Sequence, residues 1–184
     1  MDYFKSNYNN IATLLFVLTI LVAHIFSTNN YDWTKNTISD LGSQGYDRKL
    51  IMQFGFLGFG LLLSAGIITN GLTWRTSPIF VYSCCVALTG IFCAKPFFHF
   101  DNYSALQATI HAALAQLAGA TFTLGILLQF FYAPNNNEKW IHFVFIILVM
   151  GLSASFGLLK NYQGIVQRLL YIASFIWLLK YYKP

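Results

Sequence analysis

Apolar residues run along this chain in six long blocks separated by short polar stretches. The blocks extend from Tyr8 to Phe26, Leu50 to Asn70, Pro78 to Ala94, Ser104 to Tyr132, Trp140 to Leu159 and Ile165 to Tyr182. A bilayer's hydrocarbon core is about 30 Å thick, so a crossing helix needs about 20 residues at about 1.5 Å each. The blocks meet that requirement, and no Lys, Arg, Asp or Glu falls in the middle of any of them. A membrane β-barrel would alternate polarity in short segments, whereas Ile11 to Phe26 and His142 to Leu152 are continuously apolar. The expected fold is all-α: an integral membrane bundle of six transmembrane helices forming one domain over residues 1–184.

The residues between the blocks agree with these boundaries. Pro78 opens the third helix, Lys95-Pro96 closes it, Pro134 to Asn137 separates the fourth from the fifth, and Gly164 marks the last turn. Trp33, Trp74 and Trp140 sit at block ends, where amphipathic rings prefer the headgroup layer. No small-x-small cleavage signal follows Phe26, so the first block is expected to be a retained span and not a leader. Small residues mark expected helix contacts: Gly55, Gly58, Gly60 and Gly66 in the second span, Ala112 to Ala120 in the fourth, Gly151 to Gly157 in the fifth. The same faces would serve self-association.

Composition narrows the picture further. The 184 residues are 57% hydrophobic and only 9% charged, which excludes a soluble or disordered chain. The net charge of +5 comes from 11 scattered basic residues, not from a stripe, so nucleic acid is not an expected partner. Membrane lipid is. Threading six spans leaves five basic residues beside the termini (Lys5, Arg75, Lys139, Lys180, Lys183) and six on the other side (Lys35, Arg48, Lys49, Lys95, Lys160, Arg168). That count does not fix orientation. Cytoplasmic termini in a prokaryotic inner membrane are expected because the longest loop and most of the acids then face outward.

The same threading gathers most of the chain's chemistry at the end opposite the termini. His24, the loop Ser27 to Lys49, Lys95, His99, Asp101, Gln107 and His111 all fall there, while His142 falls on the terminal side. His111 is the most informative, lying about 10 Å inside the fourth span, where a polar ring needs a partner. Gln107 precedes it by one turn and Tyr103 continues the stripe to the surface. Either a neighbouring helix satisfies these groups or they floor a recess in which Lys95 offers an anionic headgroup a counter-charge.

Other chemistries draw on the same residues. His99, Asp101 and His111 comprise two imidazoles and a carboxylate, a donor set that suits Zn or Fe, or a metal-free acid–base relay. Asp101 has an equally good structural job as N-cap of the fourth helix. Thr37 and Asp40 have capping-box spacing and Gly42 suits a helix end, so Asn36 to Leu41 is expected to form a short helix. Ser39 would serve as nucleophile only with a histidine of that face as base. Cys84, Cys85 and Cys93 lack any C-x-x-C spacing and are expected to be small apolar filler.

The segments "NTISDLG", "DRKLIMQFGFLGFG", "GIF" and "IHAALA" resemble those of the small prokaryotic membrane proteins of domain-of-unknown-function family nine-nine-eight. The resemblance spans most of the chain and implies that Ile38 to Gly42, Asp101 and His111 match recurring motifs. A more distant similarity is to the six-helix Frag, DRAM and Sfk group, which is associated with lipid handling.

Three functions are therefore in play. The leading expectation is binding or handling of a lipid or other hydrophobic molecule in a polar-lined recess opposite the termini, through His24, Asp40, Lys95, His99, Gln107 and His111. The alternatives are an intramembrane hydrolase or transferase acting on lipid, using metal or His/Asp chemistry at His99, Asp101, His111, Ser39 or Asp40, and a non-catalytic scaffold subunit. A coupled transporter is disfavoured, because no ionisable residue sits at the midplane.

Overall fold

A computed structural model describes residues 2–183. Six helices succeed one another: α1 (Asp2–Ile25), α2 (Lys49–Asn70), α3 (Ser77–Ile91), α4 (Ala105–Tyr132), α5 (Asn136–Leu158) and α6 (Gln163–Lys180). Single 3-10 turns occupy Ser39–Gly42 and Lys160–Tyr162. The fold is the expected all-α membrane bundle. Helices α1, α2, α4 and α5 are long and apolar enough to cross a membrane. α6 is shorter, at 18 residues, and α3 has only 15, spanning about 22 Å.

α3 ends three residues earlier than its apolar run predicts, because the carbonyls there bond elsewhere. Phe92 is already extended (ψ 108°), and the carbonyls of Phe92, Cys93 and Ala94 go to side chains and backbone of other segments. Tertiary hydrogen bonding outweighs continued apolar character at this point.

Each helix packs against its neighbours in sequence, and α1 also touches α6. Aromatic rings fill the centre. Phe16 of α1 lies 5.3 Å from Phe56 and 5.1 Å from Phe59 of α2, and it also meets Tyr171 and Phe175 of α6. Phe122 of α4 bridges Tyr82 of α3 to Trp177 of α6. Trp177 and Phe16 are fully buried, and in lipid it is such close packing, not removal from water, that holds helices together.

The small residues of α2 behave as expected. A Cβ on Gly60 would strike the Ser83 carbonyl and the Ala87 amide of α3, so only glycine allows that backbone approach. Those of α4 and α5 mostly do not: Ala118 is buried in the core, but Gly119, Gly151 and Gly157 have nothing within 4 Å, and Ala112, Ala113 and Ala115 are exposed. The reason is position. α5 packs mainly on α4, α6 and the turn between α5 and α6, and its buried residues are His142 and Val149.

Candidate functional site

The end of the bundle opposite the termini is built around loop 27–48. Thr37 and Asp40 form the reciprocal cap that their spacing predicts: Thr37 N–H donates to Asp40 Oδ2 at 2.7 Å, and Asp40 N–H donates to Thr37 Oγ1 at 3.2 Å. The cap opens a single 3-10 turn over Ser39–Gly42, not a helix from Asn36 to Leu41. Burial raises the Asp40 carboxyl above its ordinary range, against the opposing effect of the Thr37 hydrogen bonds, Asn36 and Arg168.

Arg168, one turn inside α6, holds this loop. Its guanidinium donates to the carbonyls of Gly164 (2.8 Å), Trp33 (2.8 Å) and Asn36 (3.2 Å), and to the Tyr31 hydroxyl (2.7 Å). No carboxylate pairs with it among the described residues. Burial pushes the Tyr31 phenol up to about 12 even with that cation beside it. Around Arg168 the loop caps α6: Gly164 N–H donates to Lys35 O, Ile165 N–H to Thr34 O, and Gln167 Oε1 accepts from Ile38 N–H at 2.6 Å. A side chain at Gly164 would collide with the Trp33 and Asn36 carbonyls.

A second lock joins this loop to the α3–α4 connection. Buried Gln44 donates through Nε2 to Cys93 O (3.3 Å) and Ser104 O (3.0 Å), and its Oε1 accepts from Ser104 N–H (2.7 Å). Gln53 Nε2 donates to Cys93 Sγ at 2.8 Å. His111 is 7% exposed and its Nδ1 lies 2.7 Å from Phe92 O, so it fastens the unwound end of α3. Of its two sequence-based roles, the structure shows the partnered one.

The remaining expected residues share this end without assembling. Half-buried His24 stacks edge-on to Tyr31. Lys95 is exposed, with its Nζ 5.9 Å from the centre of the Tyr103 ring. His99 and Asp101 form a 3.4 Å pair with side chains 91% and 87% exposed, away from His111. The metal set His99, Asp101 and His111 is not brought together, and no cluster of three His, Cys, Asp or Glu capable of holding an ion occurs among the described residues. Asp101 is not the N-cap of α4 either. Ser104 is, its Oγ accepting from Gln107 N–H at 3.3 Å, because it directly precedes the first helical residue. Gln107 is half-buried, and Ser39 bonds to no imidazole among the described residues.

Two adjoining cavities lie at the terminal end. One, of about 210 Å³, is lined by Glu138, Ile141, His142, Lys180, Tyr181 and Lys183. The other, of about 190 Å³, is lined by Arg75, Gln129, Tyr132, Glu138 and Lys183 among others. They share the ion pair in which Lys183 Nζ contacts both Glu138 oxygens at 2.8 and 2.9 Å. Gln129 Nε2 holds the Lys183 carbonyl at 2.9 Å, and Asn135 caps α5 beneath Glu138. His142 is 3% exposed, and its Nδ1 accepts from the Trp177 indole N–H at 3.1 Å.

Sequence patterns alone do not bring Arg168, Gln44, Gln167 and His142 into a site. Arg168 carries a usable signal, a charge one turn inside a span. The partners of the others lie 35 to 129 residues away in sequence, and no local spacing reveals them.

A family model described as "Protein of unknown function (DUF998)" matches residues 10–181, and the chain belongs to that family. No curated protein and no solved structure matches it.

Proposed function

For this member of a family without an assigned activity, we propose that the protein binds a membrane lipid or similar amphipathic molecule, with the polar end seated in the terminal-end groove. The supporting observation is the pair of adjoining cavities that share Glu138 and Lys183. α4 and α5, which supply much of their lining, also carry exposed apolar side chains, including Leu124, Leu127, Phe131, Phe143 and Val144. Ligand sites typically combine apolar lining with a few polar groups that fix orientation. The terminal end has both. At the opposite end, His111, Gln44 and Arg168 are engaged in holding loops, which leaves Lys95, His99 and Asp101 as surface groups.

The proposal places the protein in a prokaryotic plasma membrane with cytoplasmic termini, supported by the grouping of Asp32, Asp40, Asp47 and Asp101 at the far end. Reporter fusions at the C-terminus test that orientation.

Native mass spectrometry after purification in mild detergent tests the binding. Retained lipid is expected on the wild type and its loss on Ile141→Trp, whose larger side chain fills the first cavity. Equal lipid on both proteins, or loss on Lys95→Ala instead, contradicts the proposal.

A further inference from the structure

We infer that the terminal-end groove selects a phosphate-bearing anionic headgroup over a zwitterionic one, and that Glu138 occupies the phosphate's place when no such lipid is bound. The inference rests on the groove being the lipid site. Its first support is charge. Among the described residues, Arg75, Lys180 and Lys183 line the two cavities against one carboxylate, that of Glu138. Arg75 is held in place, its guanidinium stacked 4.2 Å from the centre of the Tyr132 ring, so its planar set of donors stays beside the second cavity.

The second support is independent of charge. An indole N–H only donates, so His142 Nδ1 must be the acceptor in the Trp177 contact and the ring proton sits on Nε2. That N–H belongs to a side chain 3% exposed, lines the first cavity, and finds no acceptor among the described residues. It faces the cavity without a partner among the described residues, so it can donate to an acceptor bound there.

Glu138 shows what kind of acceptor fits. Its carboxylate takes the Lys183 ammonium with both oxygens, the two-oxygen contact that a phosphate would make, and it stands at the junction of the cavities. A phosphate entering there takes over Lys183, gains Lys180 and Arg75, and accepts from His142. A choline headgroup would instead bring its own cation into a groove that is already net positive.

The test uses full-length protein in nonionic detergent, titrated with dioleoyl phosphatidic acid, dioleoyl phosphatidylcholine or inorganic phosphate and read by native mass spectrometry. Phosphatidic acid should bind about tenfold more tightly than phosphatidylcholine, and Lys183→Gln should remove most of that preference, as expected for a lost hydrogen bond to a charged group. Glu138→Gln should tighten phosphatidic acid severalfold, because the competing carboxylate is gone. An ion pair that only held the tail would give no such gain. Equal binding of both lipids, or no gain in Glu138→Gln, overturns the selectivity while leaving lipid binding standing. No lipid bound at all overturns both. Displacement of phosphatidic acid by equimolar inorganic phosphate overturns the assignment to a lipid.

Discussion

The two ends of the bundle use their polar residues in opposite ways. Opposite the termini, Arg168 meets four acceptors, Gln44 makes three side-chain hydrogen bonds, and His111 holds Phe92. Beside the termini the buried polar atoms are less completely paired. Of the five buried side-chain atoms without a partner among the described residues, Tyr8 OH, Asn9 Oδ1, Thr13 Oγ1 and Tyr182 OH lie in the terminal half, and Ser43 Oγ lies at the other end. Density of chemistry in a sequence therefore points first to a connection that must be closed. A site is better sought where donors remain unmet.

If the far end is a structural lock, breaking it should cost stability, and most at its centre. Arg168→Ala should lower unfolding free energy in detergent by about 3 kcal/mol, since it removes four hydrogen bonds made by one charged donor group. Arg168→Lys should recover less than half of that, because an ammonium does not reproduce the guanidinium's wide, planar fork of donors. Gly164→Ala should cost about 2 kcal/mol by forcing a methyl into the Trp33 and Asn36 carbonyls. A loss under about 0.5 kcal/mol in either substitution to alanine, within the range of ordinary surface changes, would mean that loop 27–48 is not held as described.

A smaller effect separates the lock from an acid–base site. Burial raises Asp40, so the folded state holds its proton more tightly than the unfolded state does. The resulting stability is fully present below the unfolded carboxylate pKa of about 3.9 and is lost as pH rises through the folded value. Wild type should therefore lose melting temperature relative to Asp40→Asn as pH is raised above about 4. A constant difference between the two proteins across that window would contradict the burial of the carboxyl.

The smallest stability change is expected at the open end. Lys183→Ala should cost under about 1 kcal/mol, since the Lys183 side chain is 63% exposed, even though the same substitution weakens lipid retention. A stability loss as large as that of Arg168→Ala would make the terminal ion pair a second lock and erase the contrast.

Much of the fold is legible in the sequence because it depends on local features. Runs such as Tyr8 to Phe26 declare a membrane helix by length and apolar character, and Thr37 and Asp40 cap each other at a spacing of three. Alternate threading also brings His24, Lys95 and His111 correctly to one end. It does not show that His111 is already bonded to Phe92, that Ser104 displaces Asp101 as helix cap, or that α3 unwinds at Phe92. Each depends on a backbone carbonyl or amide freed by tertiary geometry. The terminal groove is hidden for the same reason: it forms where the α4–α5 turn meets the chain's last residues, and no motif joins Glu138 to Lys183 across 45 positions.

Photo-crosslinking bears most directly on the central claim that the terminal end, not the residue-rich one, receives the ligand. A phospholipid carrying a diazirine beside its headgroup, incubated with the full-length protein and mapped by peptide mass spectrometry, should mark Leu128, Tyr132, Ile141 and Tyr181. Adducts concentrated on Lys95 to Tyr103 and on loop 27–48 instead would contradict it.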